Sequence, residues 1–248
     1  MDRTDVTRDP HLQRVVRDLD RALGARLLAV VLYGSAARGD YRQGTSDFNL
    51  IVVLQNLDPD GLEALSPALK WWARQGQPAP RLFSPAIIGE AADVFPIEFL
   101  DIQRRRVLLH GQDPFATVAI GYDHLRLQCE RELREKMMRL REGYVEAHAS
   151  RRALTRLLTD SYTTFVALFR GCLHLLGGES PLHNAEVVTA FCARADLDRS
   201  PFLEVDRLKH GDGYAGDLRA LFARYYEALT RAVHRIDRFE PRHGGQSS

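Results

Sequence analysis

Two stretches within the first hundred residues carry side chains suited to phosphate and metal chemistry. Gly34-Ser35 closes an apolar run, Leu27 to Tyr33, and Asp47 opens the way into a second, Leu50 to Leu54. Glycine allows backbone N–H groups close to a phosphate, and the Ser35 hydroxyl adds a donor. A helix starting at Ser35 would add the partial positive charge of its N-terminus. Arg38 and Arg42 bring full charges for a polyphosphate. Residues two apart on an extended chain point to one face, so Asp47 and Asn49 project together while Phe48 turns to the core. Two oxygen donors beside a phosphate cradle suit Mg²⁺, which takes one or two carboxylates plus substrate phosphates.

Asn49 alters that chemistry. Its amide keeps an oxygen but removes a negative charge. At ~4 Å and an effective dielectric of ~20, one charge pair is worth on the order of 4 kcal/mol gross. Lower desolvation cost recovers part of this, and a residual deficit of ~3 kcal/mol slows turnover roughly a hundredfold. A third acidic group has to come from elsewhere. The acidic apolar run Pro96 to Ile102 reads as a strand, and it offers Glu98 and Asp101. In a strand, residues three apart face opposite ways, so spacing leaves open which of the two meets Asp47.

The elements that must position these groups follow from periodicity. Leu12, Val15, Val16, Leu19 and Leu23 recur at helical spacing, which predicts an amphipathic helix over 10–23. The runs at Leu27 to Tyr33 and Leu50 to Leu54 are continuous enough for strands covered on both faces. A helix is expected over 60–75, with Trp71 and Trp72 100° apart so that at least one is core. Pro85 to Ile88, Pro96 to Ile102 and Val107 to Leu109 read as short strands. Beyond residue 122 strand signals stop, and Arg126 to Glu146, Leu154 to Leu176, His183 to Ala195 and Ala215 to Phe239 read as helices. The expected layout is an α/β (α+β) head over residues 1–113 with a mixed sheet, an all-α bundle over 114–239 and a disordered tail over 240–248.

Composition narrows the function classes. A chain of 248 residues with 45% apolar and 27% charged residues is an ordinary globular protein. A net charge of +1 gives no field for nucleic acid or an anionic membrane. No apolar run approaches the ~20 residues of a membrane span, and the polar N-terminus has no signal-peptide pattern. Cys129, Cys172 and Cys192 form no Cys-x-x-Cys pair and sit in helical apolar surroundings, the pattern of inert buried thiols in a reducing cytoplasm. The alternating charges from Arg126 to Lys136 read as a solvated helix face with i,i+4 pairs.

Gly34-Ser35, then Ser46-Asp47-Phe48-Asn49-Leu50, then Ile97-Glu98-Phe99 resembles the motif set of the polymerase-beta-type nucleotidyltransferase superfamily. The helical second half is similar in layout to bacterial aminoglycoside nucleotidyltransferases. The motif resemblance covers roughly residues 27–102. It implies that Gly34, Ser35, Arg38, Arg42 and Ser46 serve the nucleotide, that Asp47, Asn49 and Glu98 hold Mg²⁺, and that Asp47 and Glu98 are catalytic, Glu98 assisting the attacking hydroxyl. The activity implied is transfer of a nucleoside monophosphate, AMP from ATP, to a hydroxyl of a small molecule or protein. Asn49 stands where the family places a second carboxylate. That departure keeps two alternatives open: a weakened nucleotide-binding or regulatory module, and one half of a toxin–antitoxin-type pair with a protein partner.

Overall fold

The computed structural model describes residues 6–38, 47–181, 183–211 and 214–240. The chain divides into two compact units, Met1–Ile120 and Gly121–Ser248. In the first unit the order is α1 (Pro10–Leu23), β1 (Leu27–Tyr33), α2 (Ser35–Arg38), β2 (Asn49–Leu54), α3 (Pro59–Arg74), β3 (Arg81–Phe83), α4 (Pro85–Val94), α5 (Pro96–Arg104) and β4 (Arg106–Gly111). The four strands form one mixed sheet in the order β3-β2-β1-β4. β1 is antiparallel to both β2 and β4, and β3 joins β2 in parallel.

Strand alternation sorts the core into two layers. Val30, Leu32, Leu50, Val52 and Leu54 point to one face, where Leu12 and Leu19 of α1 and Trp72 of α3 cover them. Ala29, Val31, Ile51 and Val53 point to the other, under Ile88 and Ala92 of α4 and Phe99 and Ile102 of α5. Each large apolar side chain sealed this way contributes about 1.5–3 kcal/mol. Trp72 is fully buried and donates from Nε1 to the Pro78 carbonyl at 2.9 Å. Trp71 is half-buried beneath the Arg14 guanidinium, 4.3 Å from the ring centre, so Trp72 is the core member of the pair.

Two strand expectations are corrected. Pro85 to Ile88 begins helix α4, and Pro96 to Ile102 lies inside helix α5. Phe, Ile and Leu gave these stretches a strand-like composition. The decisive signal was proline at the first helical position, where its fixed φ suits a helix and its missing N–H costs nothing. Ser84 caps α4 by accepting from Ile87 N at 3.4 Å. Glu98 occupies the first turn of α5, where the helix dipole favours an acid. Conversely, the three-residue strand β3 gave no signal long enough to read. Val107 to Leu109 does lie in a strand, β4.

The second unit contains α6 (Tyr122–Ala147), α7 (Arg151–Leu175), α8 (Asn184–Ala195), α9 (Ser200–His210) and α10 (Leu218–Asp237). α9 has no counterpart among the expected helices. Its aromatic core stacks Phe169 on Phe191 (4.0 Å between centroids) and sets Phe202 edge-on to Phe169 and Tyr225. The tail expected over 240–248 lies outside the described residues beyond Glu240.

Candidate functional site

Of the polar residues singled out in the sequence, Asn49 has its place fixed by the sheet register. Asn49 opens β2 and pairs with Tyr33, the last residue of β1. Tyr33 pairs on its other side with Arg106, the first residue of β4. Arg81, the first residue of β3, pairs with Ile51, two positions along from Asn49. Directly paired residues share a sheet face, and so do residues two apart on one strand. Tyr33, Asn49, Arg81 and Arg106 therefore all belong to the face covered by α4 and α5.

Gly34 follows Tyr33 with φ +79°, in the left-handed region that disfavours a side chain. A Cβ there would lie 3.1 Å from Asn49 Nδ2. The glycine is thus required twice, by the turn and by the approach of the Asn49 amide. Phe48 fixes the start of β2 from the other side. Its ring packs against Trp72, 6.4 Å between centroids, and its N–H donates to Gln77 Oε1 at 2.8 Å. The residues flanking Phe48 are held by those two contacts. Asp47 is exposed and Asn49 half-buried, and among the described residues neither side chain has a hydrogen-bond or ion-pair partner.

Glu98 and Asp101 lie on α5, not on a strand, and this reverses the geometry expected of them. Three residues apart on a helix are only about 60° apart around the axis, so the two acids share one side. Both are half-buried, and both engage other groups. The helix is anchored by Phe99, which packs edge-on against Phe83 at 6.0 Å and Phe115 at 5.7 Å. Glu98 thus stands beside the residue that fastens α5 to the Asn49 face.

The Arg104 to Arg106 run reads as a solvated turn, and Arg106 departs from that. It is only 17% exposed and holds Asp113 with Nε at 2.8 Å from both carboxylate oxygens. It also donates to the Gln103 carbonyl. Burial opposes ionisation of Asp113, but the guanidinium and the Phe115 N–H outweigh it and hold the carboxyl below its ordinary value. Gln103 bonds the Phe115 and Val118 carbonyls at 3.2 and 2.6 Å. These contacts brace the segment that follows β4.

Of the other residues expected to serve the nucleotide, Ser35 and Arg38 lie in α2, and Arg42 and Ser46 lie outside the described residues. Among the described residues no three His, Cys, Asp or Glu side chains cluster as a metal site. The donors that suit a hard cation are the Asp47 carboxylate, the Asn49 amide oxygen and the Glu98 carboxylate. The three cysteines are buried free thiols. Burial pushes Cys192 up to about 12, while contact with Cys129, followed by burial, pushes Cys172 well above the usual thiol range. No described helix is long and apolar enough to cross a membrane. Tyr33, Gln77 and Arg81 were missed by sequence reasoning, because nothing in their spacing reveals strand register.

Residues 12–104 match the family described as "Nucleotidyltransferase domain". No curated protein matches the chain. Among solved structures, the chain is similar to the spectinomycin adenyltransferase AAD(9) of Enterococcus faecialis, crystallised with ATP and spectinomycin. The identity is 13% and the TM-score 0.47, over 92% of this chain and 98% of that one.

Proposed function

We propose, from the premise that residues 12–104 form a nucleotidyltransferase domain, that this chain transfers AMP from ATP to a hydroxyl group of a small molecule or protein, with Mg²⁺. The observation that carries the reading is the sheet end itself. Gly34 approaches Asn49 there, Asp47 stands two residues earlier, neither Asp47 nor Asn49 has a partner among the described residues, and the sheet face to which Asn49 belongs is covered by the helix that carries Glu98.

The donor chemistry fits Mg²⁺, which is satisfied by few protein oxygens when substrate phosphates supply the rest. Asp47 and Asn49 would hold it, with Glu98 as the third donor. Bound there, the ion offsets charge on the phosphate under attack and on the departing pyrophosphate. The residues do the remaining work. Gly34 leaves room for a phosphate against the backbone. Glu98 accepts the proton of the attacking hydroxyl, a role that places the acceptor on the α5 side of the sheet. The bond formed joins the acceptor oxygen to the α-phosphorus, and the bond broken releases pyrophosphate. The three buried, inert thiols accord with a reducing cytoplasm.

A second reading is favoured by Asn49: nucleotide binding without turnover, because the neutral amide leaves the site one charge short. Labelled ATP, Mg²⁺ and a panel of hydroxyl acceptors separate the two. The transferase reading predicts pyrophosphate release that Asp47→Ala abolishes. Release unchanged by that substitution removes this site from consideration. ATP binding with no release under any acceptor supports the second reading.

A further inference from the structure

We propose that Arg81 is a polyphosphate-binding residue of this site, supplying from the protein a positive charge beside the neutral Asn49. The inference deepens the nucleotide-site reading above and rests on it.

The argument starts from register. Arg81 pairs with Ile51, and Tyr33 pairs with Asn49, on opposite sides of β2. The Arg81 guanidinium nevertheless lies over the Tyr33 ring, 5.8 Å from its centre. Neighbouring strands are about 4.8 Å apart, so β1 and β3 stand roughly 9–10 Å apart with β2 between them. The two side chains therefore meet over β2, the strand between them. The β2 residues on that face at this end of the sheet are Asn49 and Ile51. The guanidinium thus lies over the row that begins with Asn49, with Asp47 one further step along.

Two further observations give this placement a purpose. Arg81 is exposed, and among the described residues it has no ion-pair or hydrogen-bond partner beyond the Tyr33 ring contact. Resting on an aromatic face orients a guanidinium without consuming its N–H donors, which lie in the plane of the group. Its N–H donors are left for phosphate oxygens, which a guanidinium binds bidentately. The second observation is Asn49. A carboxylate at position 49 would add a negative charge to the row of β2 over which the two side chains meet. An amide there leaves the Arg81 charge available to the ligand. Neutral residue 49 and unpaired Arg81 then make one device: the nucleotide's negative charge is met partly by the protein, and capture depends less on divalent cation.

The test is calorimetric titration of the full chain with ATP, and with inorganic tripolyphosphate, in EDTA and in Mg²⁺. Wild type binds both in EDTA. Arg81→Ala raises the Kd for both by about tenfold or more in EDTA, the loss expected for a charged hydrogen bond. Arg81→Lys, which keeps the charge but not the fork, loses less. Asn49→Asp weakens binding in EDTA severalfold and makes Mg²⁺ more necessary. Arg17→Ala, an exposed arginine of α1 on the opposite sheet face, changes nothing. Equal affinity of Arg81→Ala and wild type, within twofold, overturns the proposal and leaves the nucleotide reading standing. Failure of the wild type to bind ATP with or without Mg²⁺ overturns both.

Discussion

Along α6 the charged side chains answer one another one helical turn apart. Glu130 meets Arg126 at 3.2 Å and Arg134 at 2.8 Å, and Glu135 meets Arg139 at 2.6 Å. Further along the same unit, Glu204 takes both guanidinium nitrogens of Arg224 at 2.7 Å. At the Asn49 end of the sheet Arg106 is likewise paired, with Asp113, but three other polar side chains are not. Asp47, Asn49 and Arg81 carry polar heads that find no hydrogen-bond or ion-pair partner among the described residues. Charges already paired within the protein have little left to offer a ligand. Charges held in place by neighbours that do not neutralise them, such as Tyr33 under Arg81 or Phe48 beside Asp47, are available for binding and chemistry. On the proposed function, the contrast separates charge that keeps a helix solvated and in register from charge left for a substrate.

That contrast can be broken by substitution, beginning with the largest expected effect. Asp47→Ala removes the carboxylate just before β2 and is expected to lower pyrophosphate release about a thousandfold, equivalent to ~4 kcal/mol. Its Tm should stay within a degree or two of wild type, since the side chain is exposed and has no partner among the described residues; a loss of several degrees would mean the aspartate is structural. Asn49→Asp restores a carboxylate and should raise Mg²⁺-dependent turnover by about tenfold, measured at saturating ATP. A drop instead would show that the amide is tuned to Arg81 more strictly than to metal. Gly34→Ala forces a side chain into a left-handed turn and against the Asn49 amide. It should cost about 1–3 kcal/mol in denaturant unfolding and weaken ATP binding together. Retained affinity would dissociate the turn from the nucleotide.

The smallest effect belongs to the helical unit. Glu204→Gln should cost about 0.5–1 kcal/mol at neutral pH and leave ATP affinity unchanged, because Arg224 is half-exposed and screened. The pH dependence has a definite sign. The Arg224 hydrogen bond holds the Glu204 carboxyl below its ordinary value against the opposing effect of burial. Its contribution is present above the unfolded carboxylate pKa of about 4.3 and is lost as pH falls through the lowered folded value. Wild-type and Glu204→Gln urea midpoints should therefore converge below pH 4. A difference that persists there would assign the effect to packing.

How much of this was legible beforehand differs from element to element. Leu27 to Tyr33 and Leu50 to Leu54 were readable because both strands are buried on two faces, which leaves an unbroken apolar run. That at least one of Trp71 and Trp72 is core, and the i,i+4 pairs of α6, were readable from helical spacing; which tryptophan it is was not. Glu98 was found by type but placed on the wrong kind of element, since strand-like residues outweighed Pro96. As a result Glu98 and Asp101 were set on opposite faces when they share one. β3 was too short to show a period, and Arg81 was missed with it.

The sequence by itself determined the local chemistry: a glycine turn, an aspartate entering a core strand, an asparagine where a second acid was expected, and helices wherever apolar residues recur every three to four positions. These are short-range properties, set by side-chain type and backbone periodicity. Tertiary structure decided everything that depends on strand register and on what covers each face. It put Tyr33 opposite Asn49, brought the Arg81 guanidinium to the Tyr33 ring, and seated Phe99 of α5 on the Ile51 layer. Register is a choice among pairings between distant segments, fixed only when the whole sheet and its covering helices close together, and no local pattern encodes it.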